Sequence, residues 1–308
     1  MYMLIGQLKQ IWRYPIKSMG GETLSSVPLS SKGIAGDRCW AVKDTETNEI
    51  RSAKQWPELL NYRATLPAGA EINQSEFESG LYGDALPDIA ISCPDGQSLR
   101  ARQTDVAELL SSALGRQAIL TPLAPPDDFD HYRLAKQPDE TDIAEAMQLQ
   151  PGETLMQHVA KIPPKMQAEL LENLKHYATP PGTYFDALPL HVLTTASMDY
   201  LRSKAGVDAV AERYRPNLVI ESADASPALL ENDWVGKRLQ IGEVVMRISM
   251  KTMRCAMPSR QQTWCDLEAE KGMARAMVEH CDRHLGVYAA IEQPGGIHVG
   301  DQVHLLED

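Results

Sequence analysis

Short alternating runs of apolar residues, separated by turn residues, recur along this chain. Val244, Met246 and Ile248 form one such run after a Gly-Glu turn, and Leu239 and Ile241 alternate before it. Because successive side chains of a strand point to opposite faces, this pattern predicts a hairpin. Composition or alternation predicts further strands at 39–42, 89–92, 191–193, 218–220 and, interrupted by a Gly-Asp turn, 297–305.

Apolar residues at helical spacing are less frequent. They predict a helix over 105–114 that Gly115 ends, a helix over 165–177, a short helix near 197–202, and a helical stretch over 266–285 that Gly286 ends. Because the strands outnumber the helices, we expect an α+β fold that is mainly β, with β-barrel-like architecture and a few peripheral helices.

Residues 121–152 differ from the rest, with a proline-rich and acidic stretch followed by Asp139-Glu140-Thr141-Asp142. Two interpretations are open for this segment. It can be a long, partly mobile surface connection between two modules, or a lid over a pocket. The connection is better supported, since nothing in the segment carries specific chemistry.

Composition and charge exclude several classes of function. The 308 residues carry a net charge of −12, which disfavours broad binding to nucleic acid or to anionic membranes. No apolar run approaches the roughly 18 residues of a membrane span, and the N-terminus has no secretion-signal pattern. The five cysteines include no CxxC pair, so we expect free thiols in the cytoplasm rather than a disulfide scaffold.

Cys255 carries the most informative chemistry. It follows the predicted strand ending near Met250 and lies beside Arg254, where a thiolate can ligate a soft metal or act as a nucleophile. Cationic and polar residues recur in three other short stretches: Lys17-Ser18, Asp37-Arg38 and Arg215-Pro216-Asn217. Together they predict a site that holds an anionic, metal-bearing cofactor over one sulfur. Alternatives remain open: a lone cysteine is more often an inert buried thiol, and Arg215 can instead pair with Glu212.

Four motifs, read together, resemble one known family. They are Tyr14-Pro15-Ile16-Lys17-Ser18, Gly33-Ile34-Ala35-Gly36-Asp37-Arg38-Cys39-Trp40, Tyr214-Arg215-Pro216-Asn217-Leu218-Val219-Ile220 and Arg254-Cys255. The chain resembles the MOSC-domain family with its N-terminal MOSC β-barrel domain, in the branch of the mitochondrial amidoxime-reducing components and their bacterial counterparts. The resemblance implies a β-barrel-like N-terminal domain over 1–125, a connection over 126–152 and a packed β-barrel MOSC domain over 153–308.

The resemblance also implies a molybdenum cofactor, which is a pterin with a dithiolene and a terminal phosphate. Cys255 would be the protein ligand to molybdenum and the catalytic residue. The residues implied to hold or border the cofactor are Lys17, Ser18, Arg38, His191, Thr194, Arg215, Asn217, Arg254 and Tyr288. Arginine forks and a lysine suit a phosphate, and a thiolate suits molybdenum, so the chemistry of these side chains agrees.

By the same resemblance, the expected activity is two-electron reduction of an N-hydroxylated, or related N- or S-oxygenated, small molecule. A separate donor protein of ferredoxin, flavodoxin or cytochrome type would supply the electrons, and no nucleic acid or membrane would take part. Two alternatives stay open: sulfur transfer through a persulfide on Cys255, and carriage of the cofactor without turnover. The loop 256–262 departs from the amidoxime reductases, so the substrate is left open.

Overall fold

Most of the chain folds into short strands and short helices, and the computed structural model describes residues 2–70, 72–224 and 226–306. The strands are β1 (Tyr2–Arg13), β2 (Glu22–Leu24), β3 (Ser26–Ser30), β4 (Gly33–Ile34), β5 (Trp40–Asp44), β6 (Glu49–Arg51), β7 (Arg63–Thr65), β8 (Ala90–Ser92), β9 (Ser98–Arg100), β10 (Ala118–Pro122), β11 (Leu190–Thr194), β12 (Leu218–Ser222), β13 (Arg238–Ile241), β14 (Val244–Met253), β15 (His284–Gln293), β16 (Gly295–His298) and β17 (Gln302–Leu306). The α-helices are α1 (Gln74–Ser79), α2 (Val106–Leu114), α3 (Phe129–Tyr132), α4 (Glu140–Met147), α5 (Leu155–Val159), α6 (Pro164–His176), α7 (Thr195–Ala205), α8 (Ala211–Tyr214) and α9 (Met273–Cys281). Within the described ranges, no helix has the length and apolar character needed to cross a bilayer.

Seven of the described strands close into a barrel. Their order is β12-β11-β15-β14-β13-β17-β1, and β1 pairs back with β12. The β11–β12 pair is parallel and the other neighbours are antiparallel. This arrangement confirms the expected mainly β fold with a β-barrel and peripheral helices.

The first strand completes the barrel. β1 pairs with β17 on one side and with β12 on the other, and irregularities in both pairings bend it. An added Cβ at Gly6 would lie 2.1 Å from the carbonyl oxygen of Glu221, so this close approach requires glycine. The residues at the start of the chain therefore share a barrel with its last strands.

Apolar side chains at alternate strand positions fill the barrel interior. In β14 the side chains of Val244, Met246 and Ile248 are fully buried and the intervening ones are partly exposed, as the hydrophobic pattern predicts. They join one apolar cluster with residues from β1, β11, β12, β13, β15 and β17. Burying this apolar surface is the main favourable contribution to the stability of the barrel.

A second apolar core lies in the N-terminal part. Strands β10-β5-β6 and β7-β8-β9 form two small sheets around it. A third small sheet, β16-β3-β4, instead packs Val27, Leu29, Ile34 and Ile297 into the barrel core. Helix α2 packs Val106, Leu110 and Leu114 into the N-terminal core, and it ends at Gly115, which has φ +64°. The predicted helix and its stop are thereby confirmed.

The acidic segment between the two cores contains α3 and α4. A bridge joins Arg133 to Tyr177, and Tyr132 packs beside Tyr184 in a small buried cluster. The last residues of the segment make buried contacts with the barrel, which are described below. The domain boundaries at 125 and 152 stay a prediction.

The helix expected to run to Leu285 is shorter. Helix α9 begins at Met273, and 266–272, where the prediction started the helix, are not helical. It ends at Cys281, because Asp282 and Arg283 both adopt left-handed backbone, with φ +49° and +60°. The expected stop, Gly286, lies instead inside β15, where its φ is +83°. The glycine is therefore required not by a helix end but by the side chain of His191, which packs against it.

Candidate functional site

Asn217 connects three parts of the candidate site. Its Oδ1 accepts hydrogen bonds from the backbone N–H of His191 at 3.2 Å and from Nη1 of Arg38 at 3.4 Å. Its Nδ2 donates to the carbonyl oxygen of Trp12 at 3.2 Å. This buried amide joins β1, β11 and the loop that carries Arg38, so residues far apart in sequence meet at one place.

Arg38 and Arg215 lie against the same aromatic ring. Their guanidinium carbons are 5.1 Å and 4.7 Å from the centroid of Tyr14. Arg38 also donates to the carboxylate of Asp37 and, at 3.4 Å, to the carbonyl oxygen of Arg215. Burial disfavours the charge on Arg38, but Asp37 raises its pKa above the ordinary value. Arg38 is thus a fixed cation.

Arg215 is a buried cation that lacks partners. It caps α8, and its Nε and Nη2 groups have no hydrogen-bond partner among the described residues. Burial and the nearby Arg38 lower the pKa of Arg215 to about 10. Buried donors are rarely left unpaired, because each one costs about 1–3 kcal/mol. The arrangement therefore fits an anion that would accept from Arg215 and relieve its repulsion with Arg38.

Three of the predicted site residues have left-handed backbone, which non-glycine residues rarely adopt. The φ angles are +69° at Ser18, +49° at Arg38 and +53° at Arg215. Such conformations persist where the surrounding structure determines them, and they occur frequently at ligand sites. Here each residue lies within one of the motifs quoted from the sequence.

Lys17 is buried and paired. Its Nζ donates to Oδ1 of Asp186 at 2.7 Å and to the carbonyl oxygen of Tyr184 at 3.1 Å. Burial lowers the pKa of Lys17, an effect that Asp186 opposes. Burial would raise the pKa of Asp186, but Lys17, Lys54 and Arg38 hold it well below its usual range. Asp186 was not predicted, because no motif in the sequence marks it.

His191 packs where Gly286 leaves room. An added Cβ at Gly286 would lie 2.3 Å from Nε2 of His191, so a larger residue cannot share this position. Nε2 lies 3.5 Å from Nη1 of Arg254, which can only donate, so we assign this nitrogen as the acceptor. Burial and Arg254 lower the pKa of His191 well below its ordinary value, and the ring is neutral.

Tyr288 and Arg254 flank this histidine. The rings of Tyr288 and His191 are 5.6 Å apart on paired strands, and burial raises the pKa of Tyr288, so its phenol is protonated. Arg254 donates from Nη2 to the carbonyl oxygen of Tyr214 at 2.8 Å, while its Nε has no partner among the described residues. Arg254 therefore links the histidine to the start of the cysteine loop.

Cys255 is a free, half-buried cysteine two residues after the end of β14, in the loop that the strand pattern predicts. It packs beside an apolar group made of Ala53, Leu60 and Met257. Ser18 reaches the same group, because its Oγ accepts a hydrogen bond from the N–H of Ala53 at 2.9 Å. Cys255 and the loop of Ser18 thus contact the same apolar group.

Thr194 makes contacts of another kind. Its hydroxyl donates to the carboxylate of Glu231 at 2.7 Å and accepts from the N–H of Ser197 at 3.1 Å. The second bond caps α7, so the side chain is committed to holding a helix start. Its predicted contact with a cofactor stays a prediction.

Comparisons with known proteins agree with the motifs. The model of the MOSC domain matches residues 180–304, and that of the MOSC N-terminal beta barrel domain matches residues 5–117. The mitochondrial amidoxime-reducing component 1 of Mus musculus is 25% identical over 98% of this chain and 83% of its own length. The human protein of that name is 24% identical over 98% of this chain and 83% of its own length. The solved YuaD protein of Bacillus subtilis covers 99% of this chain and 98% of its own, at 10% identity and a TM-score of 0.42, a likeness too weak to argue from.

Proposed function

We propose, from the membership of this chain in the family of MOSC-domain proteins with an N-terminal beta barrel domain, that it binds the molybdenum cofactor and works as a reductase. Its substrate would be an N-hydroxylated, or related N- or S-oxygenated, small molecule. The relatives named amidoxime-reducing components support this choice of reaction class.

The observation that carries the proposal is Arg215, a buried guanidinium whose Nε and Nη2 have no partner within the described ranges. Such a group needs an acceptor, and the phosphate and pterin of the cofactor would supply it. Arg38 contributes a second cation across the ring of Tyr14. The residues therefore fit an anionic organic group better than a plain structural role.

Five other residues have roles that agree with their chemistry and contacts. Cys255 would ligate the metal with its sulfur, since thiolates are preferred by soft metal centres. Lys17 offers a point charge that Asp186 now neutralises, and Asn217 holds Arg38 in place. Neutral His191 and protonated Tyr288 would offer hydrogen bonds without adding charge.

When bound, the cofactor supplies the two-electron centre of the reaction. Two electrons and two protons convert a hydroxylated nitrogen to N–H and water. We expect the electrons to come from a separate protein of ferredoxin, flavodoxin or cytochrome type. The cytoplasmic location stays a prediction.

A reductase assay tests the reaction. The full chain, produced in a host that makes the cofactor, is mixed with a generic reductant and an N-hydroxylated compound such as benzamidoxime. We expect amidine to form with the wild type and none with Cys255→Ala. Turnover by the variant at the wild-type rate would rule out the proposed role of Cys255. A labile extra sulfur on Cys255, seen by mass spectrometry without any turnover, would favour sulfur transfer instead.

A further inference from the structure

Arg283 is the largest fully buried side chain of the described residues, and it holds the end of the acidic segment. We call residues 146–153 the strap. Nη1 of Arg283 donates to the carbonyl oxygen of Met147 at 2.7 Å, and Nη2 donates to that of Gln148 at 3.1 Å. The guanidinium also forms an ion pair with Glu153, whose side chain is 6% exposed. One side chain thus anchors both ends of the strap.

The same arginine fixes the residue before the cysteine. The backbone N–H of Arg254 donates to the carbonyl oxygen of Arg283 at 2.9 Å. In return, Nη1 of Arg283 donates to the carbonyl oxygen of Arg254 at 3.3 Å. Both backbone groups of Arg254 are therefore held by Arg283.

The strap itself fixes the residues after the cysteine. The N–H of Ala256 donates to the carbonyl oxygen of Ala146 at 3.1 Å. The hydroxyl of Ser259 donates to Oε1 of Gln148 at 2.6 Å. Cys255 is consequently bracketed: the residue on its N-terminal side is bonded to Arg283, and the residue on its C-terminal side is bonded to the strap.

We propose that Arg283 and the strap position the sulfur of Cys255, and that Arg283 is a positioning residue for this thiol. The claim that the positioned sulfur serves a metal rests on the proposed function. A ligand on a loop needs support from outside the site, because a misplaced sulfur cannot meet the geometry that a metal requires. The acidic segment is thereby a support of the site, rather than a plain connection between two modules.

The alternative is that the ion pair of Arg283 and Glu153 only stabilises the fold. The reactivity of the cysteine thiols distinguishes this alternative from the proposal. Cys265 is the internal control, because it is also half-exposed and lies outside the contacts of Arg283 and the strap. The full chain is made without cofactor and treated with iodoacetamide, and each cysteine peptide is followed by mass spectrometry. The variants are Arg283→Lys and Glu153→Gln. Lys161→Ala is the matched control, since it removes only the neighbouring exposed pair between Lys161 and Asp282.

We expect Arg283→Lys to raise the alkylation rate of Cys255 by about tenfold relative to that of Cys265, because a loop that loses buried hydrogen bonds opens more often. Glu153→Gln, which conserves volume and folds more readily, should act in the same direction, and Lys161→Ala should change neither rate. The proposal is wrong if both cysteines accelerate by the same factor, or if the rate of Cys255 stays at the wild-type value in Glu153→Gln.

A second arm uses the full chain from a host that makes the cofactor. Molybdenum per chain is measured after gel filtration for the wild type, Glu153→Gln and Lys161→Ala. We expect the strap variant alone to lose metal. Retention equal to that of the wild type would show that the strap does not serve the metal. A wild type without molybdenum would overturn the proposed function, while the thiol rates would still decide the positioning of Cys255.

Discussion

Arg38 and Arg215 hold their guanidinium groups against one ring, that of Tyr14, at 5.1 Å and 4.7 Å from its centroid. Arg38 is compensated by the neighbouring Asp37, whereas Arg215 has two buried N–H groups without a partner in the described part of the chain. Two like charges so close destabilise the protein unless an anion joins them. We therefore propose that the pair serves a ligand rather than the stability of the fold.

Replacing Arg215 tests this arrangement. In Arg215→Met, cofactor-free protein should unfold with a free energy within about 1 kcal/mol of the wild type, or higher, because an uncompensated buried charge is removed. Chemical denaturation measures this free energy. Molybdenum retention by the same variant, purified from a cofactor-competent host, should fall at least about tenfold, since a charge-assisted pair to the ligand is lost.

Arg213, two residues earlier, is the matched control. Its buried guanidinium donates to the carbonyl oxygens of Asp208 at 2.8 Å and Glu268 at 3.0 Å. Arg213→Met should lower the free energy of unfolding by about 3 kcal/mol, because several partly buried carbonyl oxygens lose their donor. Equal destabilisation by both variants would make Arg215 a structural residue and contradict the anion site.

Gly286→Ala tests the packing of His191. The substitution meets both a left-handed backbone and a clash with the imidazole, so we expect a loss of about 2–4 kcal/mol in the free energy of unfolding. Gly296→Ala is the control, since an added Cβ there has open space and the backbone is ordinary. Denaturant titration of the two variants checks the difference, and a similar small effect of both would show that His191 does not need this gap.

The pair of Glu153 and Arg283 predicts a pH dependence of stability. Burial would raise the pKa of Glu153, but Arg283, the N–H of Gln150 and His158 lower it to about 2, from 4.5. Between these values the unfolded chain binds more protons than the folded one, so stability rises with pH in this window. The pair should therefore contribute about 2 kcal/mol above pH 5, allowing for solvent screening, and lose it as pH falls toward 2.

Unfolding midpoints in denaturant at pH 5.5 and pH 3 measure this dependence. Glu153→Gln should be less stable than the wild type at pH 5.5, and the gap between the two should shrink at pH 3. A gap that is the same at both pH values would mean that the carboxylate of Glu153 does not titrate in this way.

Local patterns were sufficient to predict much of the fold. The alternation of Val244, Met246 and Ile248 identified a barrel strand, and the end of that strand placed Cys255 in the loop where the structure has it. The helix over 266–285 was predicted too long at both ends: it runs from Met273 to Cys281. The left-handed backbone at Asp266, Asp282 and Arg283 leaves no mark in the hydrophobic spacing. Gly286 was then taken for a helix stop. The position requires glycine because the side chain of His191, on another strand, packs against it.

Long-range pairs could not be predicted. Lys17 and Asp186 are 169 residues apart in sequence, and Arg283 and Glu153 are 130 apart. Nothing near Asp186 or Glu153 distinguishes them from the other acids of this chain. Only the closed barrel and the folded acidic segment bring these charges together, so partners of that kind require the three-dimensional structure.

The most direct test of the account is the molybdenum content of the full chain. Wild type, Cys255→Ser and Arg215→Met are purified from a host that makes the cofactor, and metal per chain is measured by mass spectrometry. Zinc and iron are measured in the same samples, so that a different metal in the site is detected. We predict about one molybdenum per wild-type chain, as a single thiolate ligand implies, and little in either variant. A wild type that carries no molybdenum, or variants that keep as much as the wild type, would contradict the account.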